Sequence, residues 1–196
     1  SFAVSLAPAR DGGLWVGAAQ GMISHWDGKR FRRRFEAPTN MVAKAQYSHI
    51  ATLHEDPRGW VWFGGWGGYL GCYDGNEVLD FSCIAGTGVD AVSGMTTGPD
   101  GSVWIGTWDG LFRHDWRALG RVVPAGDEPI PRVVSAVFRD RDGALWLGTP
   151  HGVRCFDGAT WTVLDVADGL VGSHVTGIAQ DARGDYWFAT TSGLIS

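Results

Sequence analysis

Short apolar runs alternate with polar turns along the whole chain, and this pattern returns at nearly regular intervals. Each repeat contains one almost wholly apolar run with a tryptophan, and these tryptophans are Trp15, Trp62, Trp104, Trp146 and Trp187. They follow one another at intervals of 47, 42, 42 and 41 residues. A glycine marks the same register three residues earlier, at Gly12, Gly59, Gly101, Gly143 and Gly184. A period in this range predicts a propeller, a solenoid or another array of repeats.

Each repeat divides into four short predicted strands. The first strands are apolar runs with small residues, at Val4–Ala7, Ile50–Leu53, Val92–Met95, Val134–Val137 and Val175–Ala179. Each second strand contains the tryptophan and is apolar on both faces, so we expect Trp62, Trp104 and Trp146 to be buried between sheets. The third strands follow a G-x-x-x-G step. The fourth strands are the most polar, which suits an outer edge, at Arg30–Phe35, Val78–Phe81, Arg121–Val123 and Trp161–Leu164.

Glycine-containing turns join these strands. Pairs such as Asp100-Gly101 and Arg58-Gly59 separate the first strand from the second and predict two-residue hairpins, because glycine supplies the positive φ that they need. Four antiparallel strands per repeat predict an all-β fold, a β-propeller built of four-stranded antiparallel blades. About four and a half blades are present, so we expect a partial or open propeller. We interpret residues 1–196 as a single propeller segment with blades at approximately 1–36, 49–81, 91–123, 133–165 and 174–196, the last incomplete.

Composition narrows the classes of function. The net charge of −5 argues against a dedicated nucleic-acid binder, whose surface is usually basic, and we expect no nucleic-acid partner. No apolar run is long enough to predict a membrane span. The six histidines lack zinc spacing, and the turn at Asp140 and Asp142 lacks the later ligands of a calcium loop. We therefore expect no cofactor, no metal and no catalytic residue. The basic cluster from Lys29 to Arg34 suits protection of an edge strand.

The ends and the cysteines add two expectations. The chain begins at Ser1 inside a strand-like run, so we expect a processed product or a piece of a longer protein. Cys72 and Cys155 occupy equivalent positions in different repeats and are not expected to meet. We predict that they and Cys83 are reduced, partly buried thiols.

The repeated residues carry a family resemblance. The pattern D-x-x-G-x-[LV]-W-[VIFL]-G-T-x-x-G-L, followed by an aromatic residue and Asp-Gly, resembles the two-component regulator propeller repeat. Blade four carries it as DRDGALWLGTPHGV, and blade five as DGLVGSHVTGIAQDARGDYWFATTSGL. The resemblance implies a periplasmic or otherwise extracytoplasmic sensor region of a bacterial hybrid histidine kinase or diguanylate cyclase. Such regions bind a ligand, often a carbohydrate fragment, and pass a signal across the membrane.

Propellers of this family usually close with seven blades, whereas this chain contains fewer. A sealed ring of the blades present would leave an unpaired sheet edge, which proteins avoid. We therefore expect an open arc that pairs with a second copy of the chain, or a segment that is completed by further blades.

Differences among the repeats locate the predicted ligand site. The turns between second and third strands keep their glycines but differ at their centres, and variable loops on a rigid scaffold usually carry recognition. Exposed tryptophan beside acidic and histidine side chains suits stacking on a sugar or another flat polar ligand. The predicted ligand-binding residues are Trp66, Trp108, Asp109, His151, Gln20 and His174. The competing interpretation is that both tryptophans merely cover the neighbouring blade.

Two other classes of function stay open. A propeller resembling the streptogramin B lyases would gather His151, His174, Asp109 and Glu128 on one face around Mg²⁺, although their spacing does not require it. A scaffold for protein interaction is the other. A lyase should need a divalent metal, whereas a sensor should present an aromatic, polar cleft.

Overall fold

The computed structural model describes residues 3–38, 49–82, 91–122 and 130–196. These residues contain the strands Ala3–Pro8 (β1), Leu14–Ala18 (β2), Met22–Trp26 (β3), Phe31–Glu36 (β4), Ile50–Glu55 (β5), Val61–Gly65 (β6), Leu70–Tyr73 (β7), Val78–Asp80 (β8), Val92–Thr97 (β9), Val103–Thr107 (β10), Gly110–His114 (β11), Leu119–Arg121 (β12), Ala136–Arg139 (β13), Leu145–Thr149 (β14), Gly152–Phe156 (β15), Trp161–Leu164 (β16), Val175–Gln180 (β17), Tyr186–Thr190 (β18) and Gly193–Ile195 (β19). One 3-10 turn spans Val166–Asp168. Cys83, Glu128 and most of the connections 36–49 and 124–132 lie outside the described residues.

Consecutive strands pair antiparallel and form five sheets. Four sheets contain four strands each, namely β1–β4, β5–β8, β9–β12 and β13–β16, and the fifth contains β17–β19. Strand order in every one of these sheets follows chain order, so each is a simple up-and-down meander. The predicted all-β fold of four-stranded antiparallel blades, with a fifth blade only partly present, is confirmed.

Several strand ends differ from the prediction by one or two residues. The outer strand β12 begins at Leu119, earlier than predicted, because the preceding turn closes at once: the Asp115 N–H donates to Ala118 O at 3.3 Å. Strand β13 begins two residues after the predicted start at Val134. The Val134 N–H donates instead to Thr107 O at 2.9 Å, outside the ladder with β14. Sequence periodicity locates strands, whereas individual backbone hydrogen bonds, both within turns and between blades, decide where the strands begin and end.

The turns between first and second strands are longer than predicted. After β5, the Asp56 N–H donates to Trp60 O at 3.0 Å and the Gly59 N–H donates to Asp56 O at 2.9 Å. Gly59 has a φ of +84°, so the turn is a three-residue loop with glycine in the left-handed region, and the two-residue prediction is wrong here. Two-residue turns do join the third and fourth strands, as where the Asp74 N–H donates to Glu77 O at 3.2 Å.

The register tryptophans are not equally buried. Trp62 is 0% exposed, as predicted, but Trp104 and Trp146 are only partly buried, and the prediction is wrong for these two. The guanidinium of Arg113 lies 5.6 Å from the ring centre of Trp104. The ring of Tyr186 lies 4.6 Å from that of Trp146. A flexible cation or a hydroxyl-bearing ring covers an indole without sealing it from water.

Contacts divide the chain into two compact units, Ser1–Ser93 (unit 1) and Gly94–Ser196 (unit 2). Ile23, Ile50 and Phe63 are fully buried in the core of unit 1. In unit 2, the fully buried core residues include Leu147 and Val153. No helix among the described residues is long and apolar enough to cross a membrane.

Candidate functional site

Two tryptophans are exposed in the turns between second and third strands. Trp66, directly after β6 in unit 1, is 46% exposed, and Trp108, between β10 and β11 in unit 2, is 39% exposed. Trp66 also pairs with Ala91 in an isolated β-bridge at the start of the next blade. Both rings therefore reach solvent at the turns where the sequence places them.

In unit 2, a threonine at the end of each second strand shapes these turns. The Thr107 hydroxyl donates to Gly110 O at 2.9 Å and accepts from the Asp109 N–H at 3.0 Å. Thr149 makes the same pair of bonds, donating to Gly152 O at 2.9 Å and accepting from the His151 N–H at 3.1 Å. The repeated threonine thus holds Asp109 and His151 in equivalent backbone positions.

Asp109 is held by two arginines of unit 2. Its carboxylate pairs with the guanidinium of Arg121, whose other amine donates to the Asp109 carbonyl, and with Nε of Arg132 at 3.1 Å. The Asp109 side chain is only 13% exposed. Because charge-assisted bonds fix it on two sides, Asp109 positions the turn that carries Trp108.

The other predicted ligand-binding residues occupy different surroundings. Gln20 is exposed and has a φ of +61°, in the left-handed region that glycine usually fills. His151 is exposed. His174 is partly buried, with Nε2 lying 3.2 Å from the Ser135 hydroxyl.

The six predicted residues belong to two units. Gln20 and Trp66 lie in unit 1, whereas Trp108, Asp109, His151 and His174 lie in unit 2. Within unit 2, Trp108 and Asp109 share one turn, and the equivalent turn of the next blade carries His151. Arg121 and Arg132, which hold Asp109, were not predicted, and their distance from it along the chain leaves no local signal.

A cavity that the sequence did not predict lies beside the glycine turns of unit 1. This unit 1 cavity has a volume of ≈520 Å³ and is lined by residues of the first two blades. The lining residues with polar or aromatic side chains are Arg10, Asp11, Trp15, His25, Glu55 and Tyr73, and Val61 adds an apolar side chain. It lies at the opposite end of the strands from Trp66. Volumes of this size are typical of small-molecule sites.

A departure from the repeat accounts for the polar contacts in this cavity. Six residues before the register tryptophan, Asp56 and Asp140 accept from the indole N–H of their own blades, at 2.9 and 2.7 Å. Blade one has Ala9 at this position, so the Trp15 indole donates instead to Glu55 Oε2 of the next blade at 2.7 Å. Blade three also lacks the aspartate, with Gly98 at this position, so the missing aspartate alone would not have located this site.

A histidine forms the buried end of the cavity. His25 is 2% exposed, and its Nε2 lies 3.1 Å from Asp11 Oδ1. The Nδ1 atom is buried without a hydrogen-bond partner among the described residues. The Gly13 N–H, followed by His25, lowers the pKa of Asp11 below its ordinary value, against the opposing effect of desolvation.

Unit 2 contains a smaller cavity of ≈330 Å³, lined in part by Trp104, Arg113 and Arg121. Both guanidiniums are already paired, Arg113 with Asp100 and Arg121 with Asp109. This cavity therefore offers a ligand few polar groups without partners.

The described cysteines are poor nucleophiles. Cys72 and Cys155 are free thiols, as predicted. Burial raises the pKa of Cys72 far above its ordinary value, and burial together with Asp140 and Asp157 raises that of Cys155 to about 11. Within the described ranges, no three His, Cys, Asp or Glu residues are grouped as metal ligands.

Comparisons with known proteins agree with the fold and the repeats. The sequence model of the family described as two component regulator propeller matches residues 129–151 and 169–192. No curated protein sequence matches the chain significantly. The chain is similar to the extracellular domain assigned to a hybrid two component system from B. thetaiotaomicron, with 16% identity and a TM-score of 0.66 over 96% of this chain. It spans only 32% of that domain.

Other similar structures are enzymes. A catalytically inactive virginiamycin B lyase from Staphylococcus aureus, solved with quinupristin, has 17% identity and a TM-score of 0.72 over 97% of this chain and 67% of its own. A protein named as a gluconolactonase has 13% identity and a TM-score of 0.59 over 97% of this chain and 71% of its own. Identities this low establish a common fold and leave the chemistry open. The chain is a β-propeller segment in which residues 129–151 and 169–192 match the two component regulator propeller model.

Proposed function

We propose that this chain is the ligand-binding part of an extracytoplasmic bacterial sensor, and that it recognises a small polar ligand such as a carbohydrate fragment without catalysis. The observation that carries the proposal is the exposure of Trp66 and Trp108 in the turns between second and third strands. Trp62, on the strand β6 that directly precedes Trp66, is by contrast completely buried. Large exposed aromatic side chains at a variable turn are more useful for binding than for stability.

The chemistry of these turns suits a sugar. An indole offers a flat apolar face on which the C–H face of a pyranose ring can stack, and nearby polar groups can bind its hydroxyls. Asp109 and His151 stand at equivalent backbone positions of adjacent blades in unit 2. Gln20 is a further proposed contact within unit 1, and His174 is a further proposed contact within unit 2.

The comparisons support the extracytoplasmic location only through similar structures, among which are extracellular domains assigned to a hybrid two component system and to a one component system. The remaining blades, or a second copy of the chain, are the proposed structural partners. A small molecule is the proposed signal.

Binding to oligosaccharides tests the proposal. Xylohexaose, cellohexaose and maltohexaose serve as probes in isothermal titration calorimetry with the wild type and with Trp66→Ala and Trp108→Ala. We expect at least one probe to bind the wild type and both variants to lose about tenfold or more in affinity, because stacking indoles are often hot spots. Their melting temperatures should stay within a few degrees of the wild type.

Trp187→Ala is the matched control, since Trp187 is 38% exposed but lies on strand β18 rather than in a turn between strands. It should bind like the wild type. Normal binding by both turn variants, or no binding of any probe, would contradict the proposed carbohydrate site. Turnover of quinupristin that requires Mg²⁺ would instead establish the lyase alternative.

A further inference from the structure

The unit 1 cavity exists because two side chains that fill the equivalent space in unit 2 are replaced. In unit 2, Asp140 accepts from the Tyr186 hydroxyl at 2.7 Å, and the two side chains close the junction between adjacent blades. The equivalent positions in unit 1 are Ala9 and Val61, as counted from the register tryptophans. Both are too short to meet across the junction, and a cavity of ≈520 Å³ remains.

Hydrogen-bond acceptors of His25, Asp11 and Glu55 lie at this cavity, and several of them already have partners. His25 is almost completely buried, and with Nε2 directed at Asp11, its Nδ1 has no partner among the described residues. Glu55 Oε2 accepts from the Trp15 indole and from the Arg10 N–H, at 2.7 and 3.1 Å. No described residue donates to the second oxygen of Glu55, Oε1. Glu55 is partly buried, and its second carboxylate oxygen favours a ligand that donates hydrogen bonds.

The charged and aromatic side chains that line the cavity further restrict the kind of ligand that fits. Asp11 and Glu55 bring two carboxylates, against the single guanidinium of Arg10, which already donates to Pro57 O. The indole of Trp15 and the ring of Tyr73 form aromatic walls. Aromatic faces attract cations as well as apolar groups.

We propose that the unit 1 cavity binds a small molecule that carries a primary ammonium group on an apolar or aromatic body. An ammonium group has three donors and no acceptor, which matches the two carboxylates that line the cavity, Asp11 and Glu55. Its positive charge offsets the excess carboxylate, and its apolar body packs on Trp15 and Tyr73. This site lies at the other end of the strands from Trp66 and goes beyond the proposed carbohydrate function.

Calorimetric titration with phenethylammonium chloride tests the charge requirement, with neutral 2-phenylethanol as the isosteric comparison. We expect the ammonium probe to bind the wild-type chain and the alcohol to bind at least about tenfold more weakly, since a charged hydrogen bond is worth more than a neutral one. Equal binding of both probes, or no binding of the ammonium probe, overturns the proposal.

Two variants test whether the ammonium probe binds in the unit 1 cavity. Glu55→Gln removes the charge but keeps an oxygen that can accept from the Trp15 indole, so the fold should persist while affinity falls about tenfold. Val61→Tyr introduces the ring that Tyr186 supplies in unit 2 and should abolish binding by filling the cavity. Gln180→Ala, at the position of unit 2 that corresponds to Glu55, is the matched control and should bind like the wild type. Unchanged affinity in Glu55→Gln overturns the proposal, even if Val61→Tyr fails to fold.

Trp66→Ala separates this site from the proposed carbohydrate site. It should leave affinity for the ammonium probe unchanged, whatever its effect on oligosaccharides. Loss of ammonium binding in Trp66→Ala would overturn the placement in the unit 1 cavity.

Discussion

The same pair of arginine hydrogen bonds joins adjacent blades at two places in the molecule. One is the junction between blades one and two in unit 1, and the other is the junction between blades four and five in unit 2. In unit 1, the Arg10 N–H donates to Glu55 Oε2 at 3.1 Å. In unit 2, the Arg141 N–H donates to Gln180 Oε1 at 3.2 Å. Each arginine also donates through its guanidinium to a carbonyl of the next blade's turn. The same two arginine hydrogen bonds therefore join adjacent blades at both junctions.

The two junctions differ in the side chains that fill the space between the blades, next to these arginine hydrogen bonds. Asp140 accepts from the Trp146 indole and the Tyr186 hydroxyl, both at 2.7 Å, and makes a closed polar network. Ala9 and Val61 leave the corresponding space open in unit 1. The comparison shows that one repeat architecture can give either a packed junction or a cavity, depending on two side chains.

The largest expected effect concerns the register tryptophans of the two units. Trp62→Ala should lower the free energy of unfolding by about 3–5 kcal/mol, because a fully buried indole leaves a large cavity. Trp104→Ala should cost less, about 1–3 kcal/mol, because Trp104 is partly exposed beside Arg113. Urea denaturation measures both. Equal losses would show that burial does not distinguish the two positions.

Removal of the carboxylate that closes the unit 2 junction comes next. Asp140→Ala should destabilise by about 2–4 kcal/mol, because the Trp146 indole, the Tyr186 hydroxyl and a backbone N–H lose their acceptor. Asp142→Ala, in the same turn but exposed, should change stability by less than about 0.5 kcal/mol. A similar loss in both variants would argue against a closed network.

Acid should weaken unit 1 through a histidine that unit 2 does not share. Burial lowers the pKa of His54 from 6.5 to about 4, with Asp56 opposing. Between these pH values the unfolded chain binds more protons than the folded chain, so the free energy of unfolding falls as pH falls, by about 1–3 kcal/mol. His54→Phe copies Phe138, the equivalent residue of blade four, and should remove this contribution. Parallel pH profiles of wild type and variant in urea denaturation would contradict the assignment.

The smallest expected effect isolates one hydrogen bond of the unit 2 junction. Burial, followed by Asp140, raises the pKa of Tyr186 to about 12, so its hydroxyl remains a donor at neutral pH. Tyr186→Phe should cost about 1 kcal/mol. Tyr73→Phe removes an exposed bond to Gly75 O and should cost less than about 0.5 kcal/mol. If thermal denaturation gives both variants the same stability, the hydrogen bond of the Tyr186 hydroxyl adds no stability beyond the packing of its aromatic ring.

Sequence reasoning located the blades well and their details less well. The tryptophan and glycine register predicted which residues form strands, because the same order of apolar runs and glycine turns returns in every repeat. It mistook the turn containing Gly59 for a two-residue hairpin. An Asp-Gly or Arg-Gly pair near a strand end is compatible with a two-residue or a three-residue loop. The backbone hydrogen bonds decide between the two lengths.

The candidate sites were predicted unequally. Trp66 and Trp108 could be placed at exposed turns from the spacing of the surrounding glycines, and the structure puts both rings in solvent. Whether they bind a ligand stays a prediction. The unit 1 cavity was not predicted, because the contacts around it, such as that between the Trp15 indole and Glu55, join residues far apart along the chain.

The sequence by itself determined the repeat, the strand order within each blade and the position of the glycine turns, because these depend on residues that are near one another along the chain. Only the tertiary structure decided which side chains meet across adjacent blades. Glu55 reaches the Trp15 indole from 40 residues away, and the side chains that line the cavity come from two successive blades. Such contacts depend on how one sheet packs against the next, and the local pattern of apolar and polar residues does not encode that packing.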